Sequence, residues 1–146
     1  FGEKDYQQLV IMQRMAKDFN LRTAIVPVET QREADGLAIS SRNAYLDPKE
    51  RQAAGVLYRA LRVARQRIAD GKGDPSVARA AALTVLGLEP AARVEYFEIV
   101  DPVDMRPLES ISGSVRALGA VWIGNTRLID NILCEPPKRI RARRAK

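Results

Sequence analysis

Phe1-Gly2-Glu3-Lys4-Asp5-Tyr6-Gln7-Gln8 runs without a break into a segment whose apolar residues, Leu9, Val10, Met12, Met15, Ala16 and Phe19, fall near helical spacing, with Asn20 as its stop. Thr23-Ala24-Ile25-Val26-Pro27-Val28 follows, short and rich in β-formers, the pattern of a buried strand that ends or becomes an edge at Pro27. Helix then strand is half of a βαβ unit, so the starting point is an α/β fold. In open α/β sheets ligands bind beyond the carboxyl ends of the strands. That directs attention to the segment after Val28.

Two polar stretches flank this unit. In the first, Gly2 allows close approach of the backbone to a ligand, and Lys4 offers a compact positive charge suited to phosphate oxygens. Asp5 can cap a helix starting near Tyr6 or hold a magnesium ion beside bound phosphates. Gln8 lies four residues after Lys4 and three after Asp5, which puts all three on one face if the helix includes them. In the second, Asp35-Gly36 is a turn signal ahead of Ser40-Ser41-Arg42-Asn43, two hydroxyls beside a planar charged fork, a set suited to gripping pyrophosphate. Taken singly, the first stretch also fits a solvated helix start and the second a polar loop.

The composition narrows the field. A chain of 146 residues suits one domain or the trailing part of a larger one, and 46% hydrophobic with 29% charged residues is ordinary for a globular protein with a core. No apolar run approaches the ~20 residues of a membrane span, and the start does not read as a signal peptide. The expected location is cytoplasmic, with no membrane partner. There is no histidine, which excludes histidine acid, base or metal chemistry within these residues, and the single Cys134 reads as a small core residue. The net charge of +6 belongs to the tail: without Lys138, Arg139, Arg141, Arg143, Arg144 and Lys146 the basic residues match the 18 acids. A short basic end after Pro136-Pro137 reads as a solvated tail, and nucleic acid is not an expected partner.

Further along, Asp47-Pro48 opens a helix running to about Asp70, with Ala54, Leu57, Leu61, Ala64 and Ile68 on its buried stripe and Gly71 closing it. Asp74-Pro75 opens a second, through about Leu86. From Arg93 the period changes to that of a strand apolar on much of both faces. Val115 to Ile123 and Arg127 to Leu133 form a hairpin around Gly124-Asn125. Trp122 is assigned to the core. For Arg127, Asp130 and Asn131 the structural reading, a strand whose arginine pairs with a nearby carboxylate or caps a neighbouring element, is preferred to a place in the site.

Together, Phe1 to Gln8, then Arg32-Glu33-Ala34-Asp35-Gly36-Leu37-Ala38 leading into Ser40-Ser41-Arg42-Asn43, then Gly124-Asn125-Thr126-Arg127-Leu128-Ile129-Asp130-Asn131, resemble the pantothenate synthetases in order and spacing. These enzymes use ATP and magnesium to join pantoate to β-alanine through a pantoyl adenylate. The resemblance implies that Gly2, Glu3, Lys4, Asp5, Gln31, Ile39, Ser40, Ser41 and Arg42 bind ATP, Gln31 through its main chain. Lys4, Ser40 and Arg42 would be catalytic, Asp5 would lie near magnesium, and Gln8 would hold pantoate. The Ser-Ser-Arg element would stand in for the Lys-Met-Ser-Lys-Ser loop of related synthetases and nucleotidylyltransferases, with Ile39 where methionine is usual.

One family element is not found: a His-x-Gly-His motif. The resemblance therefore implies a C-terminal part, inactive alone. Residues 1–43 would end a Rossmann-like nucleotide-binding domain, 44–135 would form an α+β lid with two helices and a three-stranded antiparallel sheet, and 136–146 the basic tail. A homodimer is expected of the full-length protein. The competing readings are another adenylate-forming or nucleotidyl-transferring enzyme, and a nucleic-acid module using the tail.

Overall fold

The computed structural model describes residues 1–71 and 73–137; the expectations placed on the basic residues from Lys138 onward lie outside the described residues. A single 3-10 turn, Glu3–Asp5, leads into helix α1, Tyr6–Asp18. Asn20 takes a left-handed φ of 49°, and the Leu21 and Asn20 amides return to the carbonyls of Ala16 and Lys17, so the helix stops close to where the sequence places its end.

Asp47 caps α2, Pro48–Ala53, through a reciprocal capping box with Glu50. The long helix expected over 48–70 is in fact two, because the hydrogen-bonded path is interrupted at Ala54-Gly55 before α3, Val56–Ala69. Glycine is a poor helix former, and here a side chain would also press on Arg59. Asp74 caps α4, Pro75–Gly87.

Strands β1, Ala92–Val100, β2, Val115–Ile123, and β3, Thr126–Cys134, make one antiparallel sheet in the order β1-β2-β3. Gly124, at φ 53°, makes the tight turn between β2 and β3. α3 and α4 cover one face of the sheet. Leu57, Leu61, Ile68, Ala82 and Leu86 meet Phe97, Ile99, Ala117, Val121 and Ile123 there, each large apolar side chain contributing about 1.5–3 kcal/mol by leaving water. Cys134 joins this core, and burial pushes its thiol up to about 11. None of the described helices is long and apolar enough to cross a membrane.

Three expectations need correction. The apparent two-sided apolarity of β1 is a bulge: between Val94 and Tyr96 the register slips, so Ala92 and Val94 before it and Phe97 and Ile99 after it reach the same core. Thr23–Val28 is extended but forms no strand. Among the described residues its backbone bonds run to Phe1 and Glu3: Val26 O accepts from the Phe1 ammonium at 3.0 Å, and Val28 donates to Phe1 O and accepts from Glu3 N, both at 2.8 Å, which makes a single parallel bridge between Gly2 and Val28 and not a strand. Trp122 is half-buried, not core: its indole N–H donates to Glu95 Oε2 at 2.8 Å, which keeps one edge of the ring outward.

Candidate functional site

β3 is a free edge of the sheet, and both polar stretches converge on it. The Glu3–Asp5 turn lies against one face. There Asn131 Nδ2 donates to the carbonyls of Glu3 at 2.8 Å and Lys4 at 2.9 Å. The Lys4 side chain is 14% exposed and its ammonium stands 3.7 Å from Asp5 Oδ1, an outward-facing carboxylate. Asp5 does not cap α1, contrary to one sequence-based option: its side chain accepts no backbone N–H, because the 3-10 turn precedes the helix. Lys4, Asp5 and Gln8 line one hollow of about 160 Å³, floored by Tyr96, Leu118 and Ile129 of the sheet. The helix begins only at Tyr6, so the condition for a shared helical face is not met, and the three meet at the hollow from the 3-10 turn and the first turn of α1.

The second stretch approaches from the side of the helices. Arg32 and Ala38 bridge, and between them Gly36, at φ 91°, turns the chain tightly beneath the Tyr58 ring. Arg32 makes a bidentate pair with Asp130 at 2.6 and 3.0 Å and lies 4.2 Å from the centroid of Tyr58. Burial raises the Asp130 carboxyl above its usual range, and the Arg32 fork works against that rise. Arg51 holds Asp35 and Glu33, and Asp35 is lowered chiefly by its hydrogen bond from Arg51. Ser40 caps the 3-10 helix Ser41–Tyr45 by accepting from Arg42 N at 3.2 Å, while Asn43 donates to Ala38 O.

Lys4 and Ser40 line a second, narrow hollow together with Asp130 and Arg127, so Lys4 faces both stretches. Arg42 is exposed and borders a third hollow, of about 560 Å³, with Tyr45, Trp122 and Arg127. Arg127 joins the second hollow to the third. Its guanidinium is paired with Glu95 at 2.8 Å, the ion pair preferred on sequence grounds, and that bond holds the Glu95 carboxyl down to about 2. Gly2, Glu3, Gln31, Ile39 and Ser41 line none of these three hollows. Gly2 has open space where a Cβ would sit, and the Gln31 carbonyl is taken by Ile39 N at 2.9 Å. Among the described residues no group of three or more acidic or cysteine side chains is placed to hold a metal ion.

Arg32, Arg116, Asp130 and Asn131 hold the two stretches in place; the sequence suggested a structural role for Asp130 and Asn131 and named Arg32 only within a motif, and it passed over Arg116. The only advance signal was a charged pair inside an apolar strand.

Comparison with known proteins gives one answer. The profile of the family described as Pantoate-beta-alanine ligase matches residues 1–133. Pantothenate synthetase of Moorella thermoacetica is 45% identical over 135 residues, covering 92% of this chain and 48% of that protein. The same enzyme of a Roseiflexus species is 47% identical, covering 92% and 49%. Among solved structures, pantothenate synthetase from Thermus thermophilus superposes with a TM-score of 0.87 at 42% identity, over 90% of this chain and 48% of that one. The pantoate-beta-alanine ligase of Francisella tularensis, complexed with beta-gamma ATP and beta-alanine, has a TM-score of 0.59 at 30% identity over 90% and 41%. The chain spans about half the length of the curated relatives it matches.

Proposed function

The chain belongs to the pantoate-beta-alanine ligase family, and from that premise we propose that it supplies the Lys4 and Ser40–Arg42 half of a site that joins pantoate to β-alanine at the expense of ATP. The observation that carries this reading is the position of Lys4, whose side chain lines both the hollow shared with Asp5 and Gln8 and the one shared with Ser40. A pantoate carboxylate oxygen attacks the α-phosphorus of ATP, the bond to the β-phosphate breaks, and pyrophosphate leaves. The β-alanine amine then attacks the acyl carbon of the adenylate, AMP departs, and the amine proton is lost to form the amide.

Such a reaction depends on positioning and charge stabilisation. Lys4 meets the phosphates and Gln8 orients pantoate. Ser40, Ser41 and Arg42, the last exposed and uncommitted to any ion pair among the described residues, close on the departing pyrophosphate. Gly2 and Glu3 belong to the ATP surface beside Lys4, and Gln31 and Ile39 join it through their backbone. Asp5 is the protein carboxylate that would meet magnesium at the phosphates, where the ion would supply charge neutralisation.

Residues 1–43 are assigned to the end of the nucleotide-binding domain and 44–135 to the lid, and activity requires a complementary half. Support comes from the first 28 residues. There Ile11 at 64%, Phe19 at 73% and Val26 at 65% exposure, with Leu21 and Val28, are large apolar side chains left in water, which a complementary half would cover. A cytoplasmic location and a homodimer formed through the complementary half complete the proposal.

The test is pantoate-dependent ATP–pyrophosphate exchange by the complete polypeptide that carries these residues. Lys4→Ala and Arg42→Ala are each expected to slow exchange about 10²–10³-fold, with residues 1–146 alone inactive. Exchange driven by a different carboxylic acid, or unchanged in both variants, would refute the assignment.

A further inference from the structure

We infer that Asn131, oriented by Arg116, is a positioning residue for the Lys4 ammonium, and that with Asp130 it makes β3 the common mount of both ligand-facing segments. The inference rests on the reading of Lys4 given above. Neighbouring residues of a strand point to opposite faces. Asp130, opposite Gly119, faces the helices and takes Arg32, whereas Asn131, opposite Leu118, faces the other way and takes the Glu3–Asp5 turn. Two adjacent residues thus set where Lys4 stands relative to the Ser40–Arg42 segment.

The turn needs this support. A 3-10 turn has poor hydrogen-bond geometry of its own, and here the Asp5 amide reaches Gly2 O only at 3.3 Å. Its outer strut is the bond from Glu3 N to Val28 O; its inner strut is Asn131, whose single amide group satisfies two consecutive carbonyls. Arg116 decides which way that amide points. Its guanidinium, stacked 3.5 Å from the centroid of Tyr6, has donors only and gives one to Asn131 Oδ1 at 2.6 Å, so Nδ2 must face the Glu3 and Lys4 carbonyls. Reversed, the amide would set oxygen against two oxygens and NH₂ against a cation. Arg116 is buried and its Nε has no hydrogen-bond partner. A residue held at that cost calls for an explanation, and the orientation of Asn131 supplies one.

The experiment uses the complete polypeptide in pantoate-dependent ATP–pyrophosphate exchange. Asn131→Asp keeps the size and the acceptor for Arg116 but turns the two-carbonyl donor into an acceptor. The expected result is a kcat lower by roughly 10- to 100-fold at a nearly unchanged KM for ATP. The decisive comparison is the double variant: Lys4→Ala with Asn131→Asp should be no slower than Lys4→Ala alone, because Asn131 acts through Lys4. Losses that multiply, or Asn131→Asp at the wild-type rate beside a slow Lys4→Ala, overturn the positioning role and leave the functional reading intact. Lys4→Ala at the wild-type rate overturns that reading and this inference with it. Should Asn131→Asp not fold, Asn131→Ser, which removes both donors without adding charge, enters the same cycle with the same outcomes. Failure of both to fold assigns the amide to the fold instead of the site and overturns the inference.

Discussion

Gly36 sits at φ 91° in the tight turn that returns Arg32 to Ala38, and a Cβ built on it would overlap Cδ1 and Cε1 of Tyr58. Gly36→Ala therefore carries two separable penalties. Holding alanine at this backbone conformation costs about 1–2 kcal/mol. Displacing the half-buried ring is an overpacking change of about 1–3 kcal/mol, and the displaced ring also leaves Arg32, now 4.2 Å from its centroid, at a further cost of about 0.5–1 kcal/mol. The expected destabilisation is about 3–5 kcal/mol, read by urea denaturation followed by far-ultraviolet circular dichroism. In a Tyr58→Ala background the ring is gone, so the same substitution should cost only the backbone share, about 1–2 kcal/mol. An equal cost in both backgrounds, or a loss below about 1 kcal/mol in the wild type, would refute the steric reasoning.

Other consequences are as direct. Cys134 is buried with its thiol pushed up to about 11 from the ordinary 9.0, so the unfolded chain loses this proton first. Stability from this group is complete below about pH 9 and is lost as pH rises toward 11, by a few kcal/mol at most; pH-dependent denaturation against Cys134→Ala measures it, and a thiol reagent should leave the native protein unmodified. Glu95 is held down to about 2, from 4.5, first by its hydrogen bond from Arg127. Its contribution is present above about pH 4.5 and lost as pH falls toward 2. A carboxyl titration by nuclear magnetic resonance should show the low midpoint, and Arg127→Met should move it back toward the ordinary value. Asp47→Ala removes the bonds to Lys49 N and Glu50 N and breaks the capping box; it should cost about 1 kcal/mol, seen as a lower melting temperature with exchange activity intact.

Much of the architecture was legible in the sequence because its determinants are local. Asp47-Pro48 and Asp74-Pro75 act within one helical turn, and β2 and the Gly124-Asn125 turn lie where alternation and turn chemistry place them. The spacing of Lys4, Asp5 and Gln8 suggested one helical face, but the 3-10 turn before Tyr6 was not legible, and it is that turn that brings Lys4 and Asp5 to the hollow Gln8 lines. The bulge at Glu95 was not legible, since a parity change in one strand is defined only by the neighbour it slips against. The break at Gly55 and the outward edge of Trp122 depend on what each packs beside. The residues that hold the site were hidden for the same reason. Asn131 meets Glu3 from 128 positions away and Asp130 meets Arg32 from 98, contacts that exist only after strand pairing has set which side chains face which side of the sheet. By itself the sequence determined the elements and the chemistry of the candidate ligands. Only the tertiary structure decided that a single edge strand holds both polar segments, because register between distant residues is a property of packing and not of local propensity.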